Sequence, residues 1–193
     1  RGGRGYLRSI GADADDAGVE EAITILRGLL TGEKVSYEGK VFHFEDVSLR
    51  VQAQQEHVNI YVATTSDYWM EIAARCADGI HTYSSNPKLL GTAGEWKARS
   101  EAEPFTIVTT LGFVEPPEAR EWWLNNFSRD YNLQKLSGRE IDTATYEELL
   151  EDLAFTDKAS LLAQVDRLER GGADELMIAY RQPEDLPIIA EIV

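Results

Sequence analysis

The chain has 193 residues, 43% of them hydrophobic, which suits one domain built around a single core. Its formal charge of -15, from 34 acidic against 19 basic residues, disfavours binding to nucleic acid or to an anionic membrane. One cysteine excludes an intrachain disulfide, and no run reaches the roughly 18 apolar residues of a membrane span, so we expect a cytoplasmic protein.

The beginning of the chain predicts an irregular turn, a helix and a hairpin. Residues 1–11 hold four glycines and three arginines and show no periodicity. Apolar residues recur at helical spacing over 17–31, which predicts an amphipathic helix. Residues 34–51 alternate weakly around a Glu-Gly pair, which predicts a small hairpin outside the main sheet.

Residues 58–85 are the most informative stretch, because a strand, a hydroxyl-rich turn and a helix follow one another there. The β-branched run at 58–63 predicts a buried strand. Thr64, Thr65 and Ser66 come next, at the point where helical spacing begins. A strand end beside a helix N-terminus makes an anion-binding corner, because free N–H groups and the helix dipole point at the ligand. In a (β/α) barrel such a corner lies on the catalytic face.

Short apolar runs continue to alternate with amphipathic helices up to the end of the chain. Strands are predicted at 58–63, 79–84, 105–114 and 175–180. Helices are predicted at 88–99, 157–170 and 183–193. The repeated strand–helix unit implies that the four strands run parallel in one sheet.

Four segments carry a resemblance that spans nearly the whole chain. They are Arg4-Gly5-Tyr6 with Gly11, residues 21–44, residues 60–79 and residues 157–178. In order and spacing they resemble parts of the luciferase-like monooxygenase superfamily: the turn after the fourth strand, the fourth helix with its hairpin, the fifth β/α unit with Ala-Asp-Gly, and the unit that closes the barrel. That superfamily comprises flavin- and deazaflavin-dependent (β/α)8-barrel oxidoreductases.

The resemblance implies an α/β fold of the TIM (β/α)8-barrel type in which the first three β/α units are lacking. Those units would amount to about 100 residues of a barrel of about 250. Because the chain also has no initiator Met, we expect the interior of a longer protein or a processed one. We expect one domain over 1–193 with the hairpin at about 34–51 as an insertion. A homodimer or a partner chain is expected to cover the exposed sheet edge.

The resemblance also implies an oxidoreductase that transfers hydride between a flavin-type cofactor, FMN or coenzyme F420, and a small organic substrate, with oxygen incorporation in the monooxygenases. Arg4 matches a family arginine that contacts the cofactor phosphate, and Thr64, Thr65 and Ser66 match the family's phosphate turn. The usual catalytic histidine belongs to the lacking strands, so no catalytic residue is assigned, and no metal site is expected. The 193-residue segment by itself is expected to be inactive.

Simpler interpretations stay open for these residues. Arg4 can be a solvated side chain, and Ser66 can serve only as a helix cap. Asp78 of the Ala-Asp-Gly motif is expected to fix the turn into the next strand, and His81 to be a hydrogen-bonded core residue. For the whole protein, the alternative is a non-catalytic flavin-binding or structural relative, or one half of a two-chain barrel.

Overall fold

The structure is a computed structural model, and it describes residues 16–51, 53–82, 87–115, 117–118, 120–121 and 154–193. Its α-helices are α1 (Asp16–Leu30), α2 (Asp67–Cys76), α3 (Pro87–Lys97), α4 (Lys158–Arg170) and α5 (Leu186–Ile192). Its strands are β1 (Val35–Glu38), β2 (His43–Val47), β3 (Tyr61–Ala63), β4 (Gly79–His81), β5 (Thr106–Phe113), β6 (Ala154–Phe155) and β7 (Glu175–Ala179). A short 3-10 helix at Pro183–Asp185 precedes α5.

Five of the strands form one parallel sheet. β3 pairs with β4 and β4 with β5, so that Tyr61 lies opposite Gly79 and Gly79 opposite Thr106. β7 also pairs with β5, and the two residues of β6 pair with the last two residues of β5. The parallel arrangement predicted for β3, β4, β5 and β7 is confirmed. The carboxyl ends of these strands therefore share one edge of the sheet, and their amino ends share the other.

The helices cover one face of this sheet. In β5, the odd-numbered Ile107, Leu111 and Phe113 join the buried core, and Ile80 of β4 belongs to the same core. Because strand side chains alternate between faces, the even-numbered residues of β5 and His81 of β4 lie on the face turned away from the helices. The helical members of the core are Ile23, Met70, Ala73, Leu89, Leu90, Ala93, Leu161, Leu168 and Ile189.

β1 and β2 form a separate antiparallel hairpin that is attached to α1. The Glu21 carboxylate of α1 accepts the backbone N–H groups of Lys40, Val41 and Phe42 at 2.7, 3.0 and 3.0 Å. Burial raises the pKa of this carboxyl, but the three hydrogen bonds outweigh burial and leave the pKa below its usual value. The hairpin is thus held by one ionised side chain at the turn between its strands.

Two features differ from the sequence prediction. β6 is not among the predicted strands, and it is a strand because it pairs with Gly112 and Phe113 at the end of β5. The strand predicted at 79–84 ends at His81, and its residues 83 and 84 lie outside the described part of the chain. Neither difference changes which residues reach the carboxyl edge from β3 and β4.

Candidate functional site

Polar residues gather at the carboxyl edge, where β3 and β4 end. Residues 64–66 connect β3 to α2. The Thr64 N–H donates to the His81 carbonyl at 2.9 Å, so this turn lies directly beside the end of β4. The Thr82 N–H donates in the same manner to the Val108 carbonyl of β5 at 2.8 Å. The backbone hydrogen bonds therefore hold the ends of β3 and β4 beside each other and beside Val108, which lies in the first half of β5.

The three hydroxyl side chains of the 64–66 turn have different roles. Thr64 is 7% exposed, and its Oγ1 accepts the Ser66 N–H at 3.0 Å, so it holds the turn together. Ser66 occupies the N-cap position of α2, but its side chain makes no capping hydrogen bond. Among the residues that the structure describes, the hydroxyl groups of Thr65 and Ser66 have no hydrogen-bond partner. Both are therefore available to a ligand at the helix N-terminus.

One acidic side chain stands in the first turn of α2. Asp67 Oδ1 accepts the indole N–H of Trp96 at 2.6 Å. A carboxylate stabilises a helix N-terminus through the helix dipole, but it also repels a second anion bound there. The carboxylate of Asp67 therefore weakens the binding of any anion at the 64–66 turn. Removal of this charge by substitution tests whether an anion binds there.

Arg4, the other predicted phosphate contact, lies outside the described residues. The expected convergence of Arg4 with Thr64, Thr65 and Ser66 therefore stays a prediction. The three turn residues themselves lie together at the carboxyl edge, between β3 and α2.

His81 ends β4 on the face turned away from the helices. Its Nε2 lies 2.8 Å from Oγ1 of Thr110 in β5, and both residues are half-buried. Burial lowers the pKa of His81, which favours the neutral imidazole at pH 7. The histidine is hydrogen-bonded as expected, but it lies outside the helix-packed core, because the residue before it, Ile80, occupies that core.

Asp78 holds the opposite, amino edge of the sheet. Its N–H donates to the Ile60 carbonyl at 2.9 Å, and its Oδ2 accepts the Ile60 N–H at 2.7 Å. Its Oδ1 lies 2.8 Å from Arg27 Nη2 and 3.2 Å from His57 Nε2. Burial raises the pKa of the carboxyl, but the hydrogen bonds from Arg27, Ile60 and His57 outweigh burial, so the net pKa is lowered. Asp78 thus has the structural role that was expected of it.

Asp174 repeats this arrangement at the start of β7. Its N–H donates to the Ile107 carbonyl at 2.9 Å, and its Oδ2 accepts the Ile107 N–H at 2.7 Å. The other carboxylate oxygen pairs with Lys97. Sequence reasoning missed this second aspartate, although one signal was available: an Ala-Asp pair directly precedes the strand here, as it does at Asp78.

The remaining candidate groups lie away from the carboxyl edge. His43 pairs with Glu38 in the hairpin, and His57 lies at the amino edge. Burial raises the pKa of the Cys76 thiol, whose Sγ donates to the Ile72 carbonyl at 3.1 Å. Within the described segments, no group of three or more His, Cys, Asp or Glu side chains could hold a metal ion. Over the same segments, no helix has the length and apolar character needed to cross a membrane.

Comparison with known proteins gives one family and several relatives. Residues 3–104 match the profile of a family described as luciferase-like monooxygenase. A stretch of 72 residues is 35% identical to the F420-dependent glucose-6-phosphate dehydrogenase of Microbacterium testaceum, and it covers 37% of this chain and 21% of that protein. A stretch of 77 residues is 30% identical to the 5,10-methylenetetrahydromethanopterin reductase of Archaeoglobus fulgidus, and it covers 40% of this chain and 23% of that protein.

A solved structure shares the fold over almost the whole chain. It is an F420-dependent secondary alcohol dehydrogenase in complex with an F420-acetone adduct, and it superposes with a TM-score of 0.69 at 14% identity. The match covers 97% of this chain and 64% of that chain. The matched regions span less than two thirds of the length of each of these three proteins.

Proposed function

The chain belongs to the luciferase-like monooxygenase family, and from that premise we propose an oxidoreductase that transfers hydride between FMN or coenzyme F420 and a small organic substrate. With FMN the proposed reaction extends to oxygen incorporation, because the activation of oxygen requires a reduced flavin. The cofactor phosphate binds at the 64–66 turn. The observation that carries this proposal is the pair of unpartnered hydroxyl groups of Thr65 and Ser66, in the described chain, at an uncapped helix N-terminus on the carboxyl edge.

The 64–66 turn suits a phosphate because of its hydrogen-bond donors. The N-terminus of α2 offers backbone N–H groups and the positive end of the helix dipole. Thr65 and Ser66 add two hydroxyl donors at the same place. FMN and coenzyme F420 both carry a phosphate, so the turn supports either cofactor and does not choose between them.

The residues of this chain bind and orient the cofactor, which supplies the hydride chemistry when it is bound. Thr64 holds the turn, Thr65 and Ser66 contact the phosphate, and Arg4 completes the set of donors. None of the three histidines acts as a general acid or base in this proposal. We also propose that the 193-residue segment by itself lacks turnover, because no residue of the described chain is assigned to proton transfer and the chemistry needs closely positioned reacting groups.

Alanine substitutions in the turn test the phosphate site. FMN and coenzyme F420 are titrated against the protein beside riboflavin, which lacks the phosphate. Ser66→Ala and Thr65→Ala are each expected to weaken the phosphate-bearing cofactor about tenfold, as loss of a hydrogen bond to a charged group does, and to leave riboflavin unchanged. Thr92→Ala is the matched control, because Thr92 Oγ1 donates only within its own helix, to the Lys88 carbonyl at 3.1 Å.

Asp67→Asn is expected to change the affinity in the opposite direction. Removal of the carboxylate charge beside the turn should strengthen phosphate binding several-fold, most clearly at low salt. Equal affinities of the wild type, Ser66→Ala and Asp67→Asn would contradict a phosphate site at this turn. Tight cofactor binding without turnover of any tested substrate would favour the non-catalytic alternative.

The proposal extends to a homodimer or a partner chain that covers the exposed sheet edge. Among the described strands, β3 pairs with β4 alone, so its other side lies at that edge. The unpaired N–H and C=O groups of an edge strand favour association. Light scattering is expected to give a mass above that of one chain, and a stable monomer would contradict this part. We place the protein in the cytoplasm, whose reducing conditions suit a single cysteine.

A further inference from the structure

A mixed polar and apolar surface lies on the sheet face turned away from the helices. It consists of Ala63 in β3, His81 in β4, Thr110 in β5 and Met177 in β7, and we call it the barrel-side patch. The strand registers place Ala63 opposite His81 and Thr110 opposite Met177. The 2.8 Å contact between His81 Nε2 and Thr110 Oγ1 joins the two pairs. The patch is therefore continuous across four strands.

The composition of the barrel-side patch is typical of a small-molecule site. Ala63 is exposed, and Met177, which is polarizable and adaptable, is 49% exposed. Binding sites for small ligands combine an apolar surface with a few polar groups in fixed positions. His81 and Thr110 supply such polar groups, and their mutual hydrogen bond fixes both side chains.

The barrel-side patch lies beside the proposed phosphate turn. The Thr64 N–H donates to the His81 carbonyl at 2.9 Å, so the end of β3 and His81 are one strand spacing apart, about 4.8 Å. A ligand that is held at residues 64–66 and extends across the neighbouring strands therefore meets His81 first and Thr110 next.

The charges around the barrel-side patch favour a neutral group over an anion. Burial keeps the pKa of His81 below its usual value, so the imidazole is neutral at pH 7. Among the described strand residues on this face, Glu175 is the one with a full charge; it is exposed, lies opposite Val108 and repels anions. A neutral imidazole and a hydroxyl group hydrogen-bond well to carbonyl and hydroxyl groups.

We propose that the barrel-side patch contacts a neutral carbonyl or hydroxyl group of the ligand whose phosphate the 64–66 turn holds. Thr110 hydrogen-bonds to that group, His81 positions the Thr110 hydroxyl, and Ala63 and Met177 form the apolar surface beside it. This inference rests on the proposed phosphate site. The contacted group is either a carbonyl of the cofactor ring or a hydroxyl of the chain between ring and phosphate, and the two have the same hydrogen-bonding chemistry.

Two adjacent threonines of β5 provide a matched test. Thr110→Val removes a hydroxyl from the patch, whereas Thr109→Val makes the same change on the helix side. There Thr109 is fully buried, and its Oγ1 has no hydrogen-bond partner among the described residues. FMN, coenzyme F420 and riboflavin are titrated against the intact protein, and the absorbance spectrum of each complex is recorded. Thr110→Val and His81→Phe should weaken each ligand that the wild type binds about fivefold, the loss of one neutral hydrogen bond. Thr109→Val should leave these affinities unchanged.

The affinities of the patch variants show whether the contact exists, and their absorbance spectra show which part of the ligand is contacted. A shifted absorbance band in Thr110→Val together with weaker binding places the contact at the ring, whereas weaker binding with an unchanged band places it at a hydroxyl group. Unchanged affinity in both patch variants would overturn the inference, and a loss in Ser66→Ala in the same titration would then leave the phosphate site standing. A wild type that binds none of the three ligands would overturn both proposals.

Discussion

The amino edge and the carboxyl edge of the parallel sheet use different chemistry. At the amino edge, Asp78 and Asp174 each accept a backbone N–H of the neighbouring strand and pair with a basic side chain. At the carboxyl edge, the described polar groups are hydroxyls, the neutral imidazole of His81 and the Asp67 carboxylate, which accepts the Trp96 indole N–H. The hydroxyls of Thr65 and Ser66 have no partner in the described chain. Paired charges at the amino edge stabilise the fold, and unpaired hydrogen-bond donors at the carboxyl edge are available for binding. In (β/α) barrels, too, the amino-terminal face serves stability and the carboxyl-terminal face carries the active site.

The largest effect on stability is expected from Asp78→Ala. The substitution leaves the Ile60 N–H and the Arg27 guanidinium without their carboxylate, which is only 10% exposed. We expect the free energy of unfolding, measured in urea, to fall by about 3 kcal/mol. Asp166→Ala is the control, because its carboxylate, paired with Arg170, is 66% exposed, and such surface pairs contribute less than about 1 kcal/mol. Equal losses in the two variants would contradict a stabilising role for the amino edge.

A smaller loss is expected from Asp174→Ala, which compares two positions within the amino edge. The substitution removes the same kind of contact, here with the Ile107 N–H, but the carboxylate is 37% exposed, so water replaces part of what is lost. We expect the free energy of unfolding to fall by about 1–2 kcal/mol. A loss as large as that of Asp78→Ala would show that exposure does not set the difference between the two aspartates.

The smallest expected effect is on the pH dependence of stability, because His81 at the carboxyl edge and Asp78 at the amino edge lose their contributions in different pH ranges. Because burial lowers the pKa of His81, the unfolded chain takes up a proton near the usual value of 6.5 that the folded chain resists, so stability falls as the pH drops below that value. The carboxyl of Asp78 acts in a lower window: its contribution is present above its usual pKa of 3.8 and is lost only as the pH falls further.

Urea unfolding at about pH 7 and about pH 5 measures this effect, because the histidine titrates in that interval and the aspartate does not. The loss of stability on acidification is expected to be smaller in His81→Asn than in the wild type. The same pH dependence in the two proteins would show that His81 is not the group responsible.

Elements with strong local signals could be predicted from the sequence within a few residues. The helix predicted at 157–170 is α4, where Asp157 accepts the Ser160 N–H at 2.8 Å and Ser160 Oγ accepts the Asp157 N–H at 3.0 Å. The apolar run at 175–180 is β7. Periodicity and helix capping are properties of consecutive residues, so both can be recognised without knowledge of the fold.

Features that depend on distant pairing could not be predicted in the same way. β6 has two residues, too few for any period, and it is a strand because of its pairing with β5. The contact between His81 and Thr110 joins two residues that are 29 positions apart along the chain, and it depends on the register of the parallel strands β4 and β5. A three-residue strand has too few alternations to show that His81 leaves the core. In the candidate site, the strand–helix pattern indicated an anion-binding corner at 64–66, and the family resemblance assigned it to a cofactor phosphate. Arg4 lies outside the described residues.

One crossed measurement tests the separation of the two edges most directly. Asp174→Ala and Ser66→Ala are each examined by urea unfolding and by titration with the phosphate-bearing cofactor that the wild type binds. We predict that Asp174→Ala lowers stability and leaves the affinity unchanged, whereas Ser66→Ala keeps stability within about 0.5 kcal/mol and lowers the affinity about tenfold. Comparable changes of both quantities in either variant, or a change of stability without a change of affinity in Ser66→Ala, would contradict the separation.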